Sequence, residues 1–280
     1  MKPPPFRYVR PETLEEALAI LAEHGDDAKV LAGGQSLVPL LNFRLARPAV
    51  LVDLELLTPL RTIEPQGDVI VVGAMVRQAE AERSPELASV PPIGQALAWV
   101  GHLQIRHRGT VGGSLAHADP AAELPAVVLA LGAEMVTRSS VRERVVPAEQ
   151  FFVGPFTTAL EPDEILTHVR FPVIAGIRSA FVEFARRSGD FALAGVCAVN
   201  LGTGGDGRIA LAAIGVGGTP VRLAGAEQVL ERVPRTPEVI HAAGVAASAA
   251  VDPPSDVHAD SAYRRELLGV LVRRALRDVA

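Results

Sequence analysis

Eleven residues near the N-terminus constrain the chain more than any other stretch: Lys29-Val-Leu-Ala32-Gly33-Gly34-Gln35-Ser36-Leu37-Val38-Pro39. Val30 to Ala32 read as a short buried strand that two adjacent glycines break. Lacking a Cβ, Gly33 and Gly34 can take positive φ and let other atoms approach the backbone closely. Successive amides in such a turn form a concave, positively polarised nest that suits a phosphate. A plain tight turn between two elements would carry the same two glycines.

A second stretch narrows the choice. Arg106-His-Arg-Gly109-Thr110-Val-Gly112-Gly113-Ser114-Leu-Ala-His117-Ala-Asp119-Pro120-Ala-Ala-Glu123 again flanks a Gly-Gly pair with hydroxyls, Thr110 and Ser114, and leads through Asp-Pro into an apolar helix. Two nests with hydroxyls and a downstream carboxylate suit one ligand bearing two phosphates and a ribose. Neither stretch matches Gly-x-Gly-x-x-Gly or a Walker lysine loop, which disfavours a dinucleotide-fold or NTPase reading.

So spaced, Ala32-Gly33-Gly34-Gln35-Ser36 and Thr110-Val111-Gly112-Gly113-Ser114 resemble the paired FAD-binding motifs of the medium, flavoprotein subunit of molybdenum hydroxylases, the carbon monoxide dehydrogenase and xanthine dehydrogenase family. A third motif in order, Arg186-Arg187-Ser-Gly189-Asp190-Phe191-Ala192-Leu193, resembles the opening of that subunit's C-terminal domain, so the resemblance spans nearly the whole chain.

Bulk properties agree with that class. At 280 residues the chain has room for two ordinary domains, and its formal net charge of −5 argues against nucleic acid. No apolar run approaches the ~18–20 residues that span a bilayer. Met1-Lys-Pro-Pro-Pro5 is followed by nothing apolar and does not read as a signal peptide, which makes the cytoplasm the expected location. Cys197 is the single cysteine, inside a run that reads as a buried strand. One thiol permits no internal disulfide and cannot supply an iron–sulfur cluster. The seven histidines show no zinc-site spacing. An organic cofactor must therefore carry any redox chemistry here, with metal centres on other chains.

In chain order, Phe6–Val9 reads as a strand. Thr13-Leu-Glu-Glu16 is a capping box that opens a helix with Leu14, Ala17, Leu18 and Leu21 on one face and a stop at Gly25. The strand into the first nest follows, then one helical turn over Leu37–Leu41 and a buried strand over Val50–Asp53. A hairpin turns at Pro65–Asp68. Short helices follow at Gln78–Arg83 and Ile93–Val100, then the second nest, an apolar helix over Leu124–Leu131 and a strand over Glu134–Thr137. Phe151–Phe156 is a loop of unusual aromatic density, which packing alone would explain, and the resemblance sets it close to the flavin. Ile165–Phe171 alternates like an edge or half-buried strand. After Ala175-Gly176 come strands at Ala180–Ala185, Val196–Leu201 and Ile209–Val216, the last two joined by a turn at Gly204–Gly207. Helices at Ala226–Glu231, Pro237–Ala250 and Tyr263–Val279 complete the chain. Strands first and helices after imply an α+β layer domain.

The expected fold class is therefore α+β: a two-subdomain FAD-binding domain over 1–176, divided at 56/57, then a C-terminal domain over 177–280 built on a three-stranded antiparallel sheet. The resemblance assigns FAD contacts to Ala32, Gly33, Gly34, Gln35, Ser36, Leu37, Thr110, Gly113, Ser114, His117, Glu123, Ile165 and Phe191. Glu123 stands where the family has a carboxylate that accepts from a ribose hydroxyl, although a solvated first-turn helix acid would look the same. Asp119, before Pro120, reads as that helix's N-cap. Phe191 stands where relatives set an aromatic residue over the isoalloxazine. Glu183 departs from the pattern, since it occupies about the position where many relatives direct a lysine at the flavin. No residue receives a catalytic or metal-binding role.

The resemblance implies an oxidoreductase subunit. Substrate would be oxidised at molybdenum in a large partner, and electrons would cross iron–sulfur clusters in a small partner. They would reach FAD here and leave to oxygen, NAD or a quinone, in a dimer of heterotrimers. Two rivals stand beside it: a stand-alone FAD-dependent reductase or oxidase, and a nucleotide-binding module without redox activity.

Overall fold

The computed structural model describes residues 2–202 and 207–279. The chain opens with a helix, Leu14–His24, whose start is fixed by side chains. Thr13 Oγ1 accepts from the Glu16 amide at 3.2 Å, and the Glu16 carboxylate reaches back to the Glu12 amide at 2.9 Å. Gly25, at φ 50°, ends it. Ala17, Leu18 and Leu21 pack onto a three-stranded parallel sheet in which Val50–Asp53 lies between Arg7–Val9 and Ala28–Leu31. The middle strand is buried along its whole length, as a covered parallel strand must be.

A five-stranded antiparallel sheet follows, ordered Ile63–Gln66, Val69–Gly73, Ile165–Pro172, Glu134–Arg138, Glu143–Pro147. Ile165–Pro172 is its central strand, not an edge. The alternation read from the sequence reports one covered face and one open face; it carries no count of hydrogen-bonded neighbours. The Phe151–Phe156 segment is not a plain loop. Phe151 ends a helical turn and is buried, while Phe152–Gly154 pairs with Thr157–Thr158 in a hairpin that turns at Phe156, φ 54°.

Helix Glu123–Leu131 is buried on every side. A helix apolar all round belongs in an interior, and this one lies between the five-stranded sheet and the C-terminal sheet. Its side chains share a core with Cys197, Val199, Ala210, Ala212 and Ile214 of the C-terminal strands.

The C-terminal sheet has four antiparallel strands where three were expected: Arg178–Phe184, Ala194–Asn200, Ile209–Ile214 and Val221–Arg222. The added strand is two residues long, too short to show an alternation in sequence. Helices Pro237–Ala249 and Ser261–Val279 cover the sheet's other face. The turn expected at Gly204–Gly207 lies, apart from Gly207, outside the described residues. Among the described residues no helix is long and apolar enough to cross a membrane.

Candidate functional site

The first glycine motif leaves strand Ala28–Leu31 and borders an open cavity of about 590 Å³. Gly34 has φ 73° and lines it together with Ala32, Gly33 and Gln35. The next helix, Leu37–Asn42, begins directly: the Val38 amide donates to the Gly34 carbonyl at 3.1 Å. Amides ahead of that bond have no partner in their own helix. Ser36 occupies the cap position but its hydroxyl makes no capping bond. The Gln35 side-chain amide donates to the Gly33 carbonyl at 3.3 Å, which tightens the loop.

The second motif is not a nest in a loop. Residues Val111–His117 form a helix, and Gly112 and Gly113 lie in its first turn. Thr110 caps it, its Oγ1 accepting from the Gly113 amide at 3.0 Å. A capping threonine followed by a turn of small residues starts a helix as readily as it flanks a loop, so the Gly-Gly pair alone did not separate the two. The glycines serve contact instead. A Cβ on Gly112 would lie 2.3 Å from the Ala74 Cβ, and one on Gly113 would lie 2.7 Å from Thr110 Oγ1. The same Gly113 position is 3.2 Å from the Ala32 Cβ, and a Cβ on Gly33 would strike the Arg108 carbonyl at 2.3 Å. The two motifs, far apart in sequence, are thus packed directly against one another.

Downstream of that helix, Ala118 takes the left-handed conformation and its carbonyl accepts from the Phe156 amide at 3.0 Å. This brings the Phe156 ring, 58% exposed, to 5.2 Å from the His117 imidazole. Burial pushes the His117 pKa down, which favours the neutral ring. Asp119 is not the cap of the next helix. Ala122 holds that position, and Asp119 Oδ1 accepts from the Ala121 amide at 2.9 Å in a local turn. The Gly215 amide, directly after the C-terminal sheet's third strand, donates to the Pro120 carbonyl at 2.8 Å and ties this turn across the domains.

Glu123 is no solvated helix acid: it is 6% exposed, and burial pushes its carboxyl up to about 7. Glu183 is 8% exposed, with burial first and the Glu123 charge second pushing it up to about 8. Phe191 is 67% exposed, in a loop turned by Gly189 at φ 88°, which rests on the His102 imidazole. Ile165 is buried among Leu54, Leu57 and Met75 in the N-terminal core and does not line the cavity.

Sequence reasoning missed several cavity-lining residues: Tyr8, Arg10, Asp53, Glu55 and Arg108. The Tyr8 hydroxyl donates to Asp53, across the parallel pairing that aligns their strands. Glu55 is bound by Arg61 at 2.9 Å and by Arg77; burial raises its carboxyl but the arginine hydrogen bonds outweigh it and hold it below the usual range. These residues come from two strands of the parallel sheet, the segments that follow them and the end of helix Leu103–Arg108, and no local pattern links them. Chemically the cavity fits the phosphate-bearing part of a flavin nucleotide. It offers a glycine cradle that a side chain would fill, an unpaired cap hydroxyl, arginines for the anion and carboxylates that can accept from a ribose.

A parallel three-stranded unit and a five-stranded antiparallel sheet, joined at two packed glycine motifs, define a flavin-nucleotide-binding domain rather than a doubly wound dinucleotide fold. Comparison with known proteins assigns it: residues 4–174 match the FAD binding domain in molybdopterin dehydrogenase, and residues 179–279 match the CO dehydrogenase flavoprotein C-terminal domain. The chain belongs to this family of molybdenum-hydroxylase flavoproteins. It is 42% identical over 280 residues to the 6-hydroxypseudooxynicotine dehydrogenase complex subunit alpha of Paenarthrobacter nicotinovorans, covering 99% of this chain and 95% of the relative. It is 47% identical over 237 residues to the caffeine dehydrogenase subunit beta of a Pseudomonas strain, covering 82% and 79%. Its fold superposes with a TM-score of 0.97, at 36% identity, on a chain of carbon monoxide dehydrogenase from Hydrogenophaga pseudoflava, covering 100% of this chain and 98% of the other.

Proposed function

We propose that this chain is the FAD-carrying electron-transfer subunit of a heteromeric molybdenum hydroxylase, with the division of labour that the sequence motifs imply. The observation that carries the reading is the direct packing of the two glycine motifs, Gly33 on Arg108 and Gly109, Gly113 on Ala32, beside one cavity. In this reading Ala32 to Leu37 hold the diphosphate through amides and the Ser36 hydroxyl, Thr110 and Ser114 add hydroxyls from the second motif, Gly113 lets the two motifs close on one another, and Arg108 adds charge. Hydrogen bonds to a charged group contribute roughly 1.5–3 kcal/mol each. Glu123 accepts from the ribose or ribityl chain, His117 and Phe191 border the ring, and Ile165 supports the site from behind through its strand. Bound flavin supplies the ability to accept electrons singly and release them in pairs. The chain's own residues bind and orient it.

The partners in this proposal are a small iron–sulfur chain and a large molybdenum chain, in a cytoplasmic dimer of heterotrimers. The domain divisions are those at 56/57 and 176/177. The single buried thiol, pushed up to about 12 by burial, supports placing the clusters elsewhere. The purified chain is expected to be yellow, to hold FAD without molybdenum or iron, and to pass electrons from an artificial reductant to an acceptor. Oxidation of a heteroaromatic or small-gas substrate is expected only after partner chains are added. Substrate-dependent flavin reduction by the isolated, metal-free chain would overturn this reading in favour of a stand-alone flavoenzyme, and a colourless chain would favour the nucleotide module.

A further inference from the structure

One side chain outside the cavity lining joins the two sides of the cavity. Arg77 precedes the short helix Gln78–Ala81, and its backbone belongs with the second glycine motif. The Gly112 amide donates to the Ala74 carbonyl at 2.9 Å, the Val111 amide to the Val76 carbonyl at 3.0 Å, and the Gln78 amide to the Gly109 carbonyl at 2.9 Å. The Arg77 side chain reaches away from that segment. Its Nη2 donates to Glu55 Oε2, in the turn Leu54–Leu56 that follows the middle strand of the parallel sheet. Its Nη1 donates to the Arg108 carbonyl. That carbonyl is the oxygen a Cβ on Gly33 would strike, so one guanidinium holds the point where the two glycine motifs touch.

The partners of this bridge tie it to the cavity. Glu55 and Arg108 both line the cavity, whereas Arg77 does not. Burial raises the Glu55 carboxyl, but hydrogen bonds from Arg61 and Arg77 outweigh it, so an anion stands in the wall. Its two oxygens are divided, Oε1 to Arg61 at 2.9 Å and Oε2 to Arg77. Removing Arg77 would leave Oε2 without its partner and the carboxylate less neutralised where a diphosphate is expected. Like charges in a partly desolvated site oppose one another. On its other side Glu55 is fixed by Asp53, whose Oδ1 accepts from the Glu55 amide at 2.9 Å and which also accepts from the Tyr8 hydroxyl. A planar guanidinium suits the bridge, because its donors diverge in fixed directions; an ammonium supplies the charge without that fork.

We propose that Arg77 is a positioning residue for the flavin nucleotide: by joining Glu55 to the Arg108 carbonyl it neutralises the acidic wall of the cavity and seats the second motif, with Arg108, against the first. The inference rests on the reading that this cavity holds the diphosphate. Arg77 acts through Glu55 and Arg108 and does not itself line the cavity.

The test is a double-mutant cycle on FAD affinity in the full chain, freed of cofactor and titrated with FAD by flavin fluorescence. The variants are Glu55→Gln, Arg77→Gln and the two combined. Glutamine at position 77 can still donate to a carbonyl but carries no charge. Arg77→Gln should raise Kd about tenfold or more, and Glu55→Gln about threefold or less. The combination should bind FAD more tightly than Arg77→Gln alone, because it removes the carboxylate that Arg77 no longer offsets. A merely structural role predicts the opposite, an added loss, since both changes remove bonds. A combined variant that binds no tighter than Arg77→Gln, or an Arg77→Gln chain of wild-type affinity, would overturn the proposal. Hydrogen–deuterium exchange at the bonded amides of Gly109, Val111 and Gly112 reads the bridge without flavin. Arg77→Gln should quicken it, and unchanged exchange would overturn the positioning. If the wild-type chain binds no FAD while Arg77→Gln quickens that exchange, the flavin reading fails and the bridge between the motifs stands. Where Arg77→Gln does not fold, Arg77→Lys keeps the charge but not the fork. Weaker FAD binding and faster exchange are expected there too, and a wild-type value of either would overturn the proposal.

Discussion

The two Gly-Gly motifs look alike in sequence and do different physical work. In the first, Gly34 needs its glycine for a backbone angle, φ 73°, and stands at the wall of a cavity with modest room beside it. In the second, Gly112 and Gly113 have helical backbones that any residue can adopt, and need glycine because Ala74, Thr110 and Ala32 occupy the space a side chain would fill. The glycines of one motif are shaped toward a ligand; those of the other are shaped toward the protein. A shared signature therefore does not imply a shared role, and substitutions should separate the two.

The largest effect is expected at Gly112. A valine there meets the Ala74 Cβ, Cα and carbonyl oxygen, all closer than 3.0 Å to the new Cβ, and backbone cannot rotate away as a flexible side chain can. The Gly112 amide also donates to the Ala74 carbonyl at 2.9 Å, so any shift breaks a bond as well. Overpacking of a tight core costs about 1–3 kcal/mol and more where nothing yields. Gly112→Val should lower the thermal midpoint sharply or abolish soluble expression, measured on protein stripped of cofactor. An unchanged midpoint would show that the second motif is as open as the first.

Gly34→Ala is expected to act in the opposite sense. The new Cβ would sit 3.2 Å from Val38 Cγ2 and 3.3 Å from Leu31 Cδ1, both side-chain atoms, and the strain of a left-handed alanine is about 1–2 kcal/mol. The chain should remain folded, with its circular dichroism spectrum intact, and lose most bound FAD. Retention of one flavin per chain would mean the cradle tolerates a methyl group and the diphosphate sits elsewhere.

Much of this is legible in the sequence itself. The capping box at Thr13–Glu16, the buried strand at Val50–Asp53 and the two motifs announce themselves through local chemistry, since caps and turns are satisfied by residues three or four positions away. What stayed hidden depends on tertiary contact. Tyr8 and Asp53 meet only because their strands are parallel neighbours, and the central place of Ile165–Pro172 follows from pairing on both edges. The burial of Glu123 was equally invisible. An acid at a helix start reads as solvated until a second domain is laid over it, and here strands Ala194–Asn200 and Ile209–Ile214 of that domain pack on the helix that Glu123 opens.

The smallest effects fall on the two hydroxyls, and they sharpen the comparison most. Thr110 and Ser36 occupy equivalent positions, each the residue before a short helix. The Thr110 oxygen is committed to the Gly113 amide, whereas the Ser36 hydroxyl makes no capping bond. Removing a cap costs about 1 kcal/mol, while removing a hydroxyl that bonds nothing costs the fold little. Thr110→Val should therefore lower the stability of the apo chain by about 1 kcal/mol, read from denaturant midpoints at unchanged slope. Ser36→Ala should leave that midpoint in place and instead weaken FAD binding, by roughly 1 kcal/mol, or about fivefold in Kd, if its hydroxyl meets a phosphate oxygen. The ordering is the point. If Ser36→Ala destabilises the apo chain and spares the cofactor, the first motif is a structural cap like the second, and the division between ligand-facing and protein-facing glycine motifs does not hold.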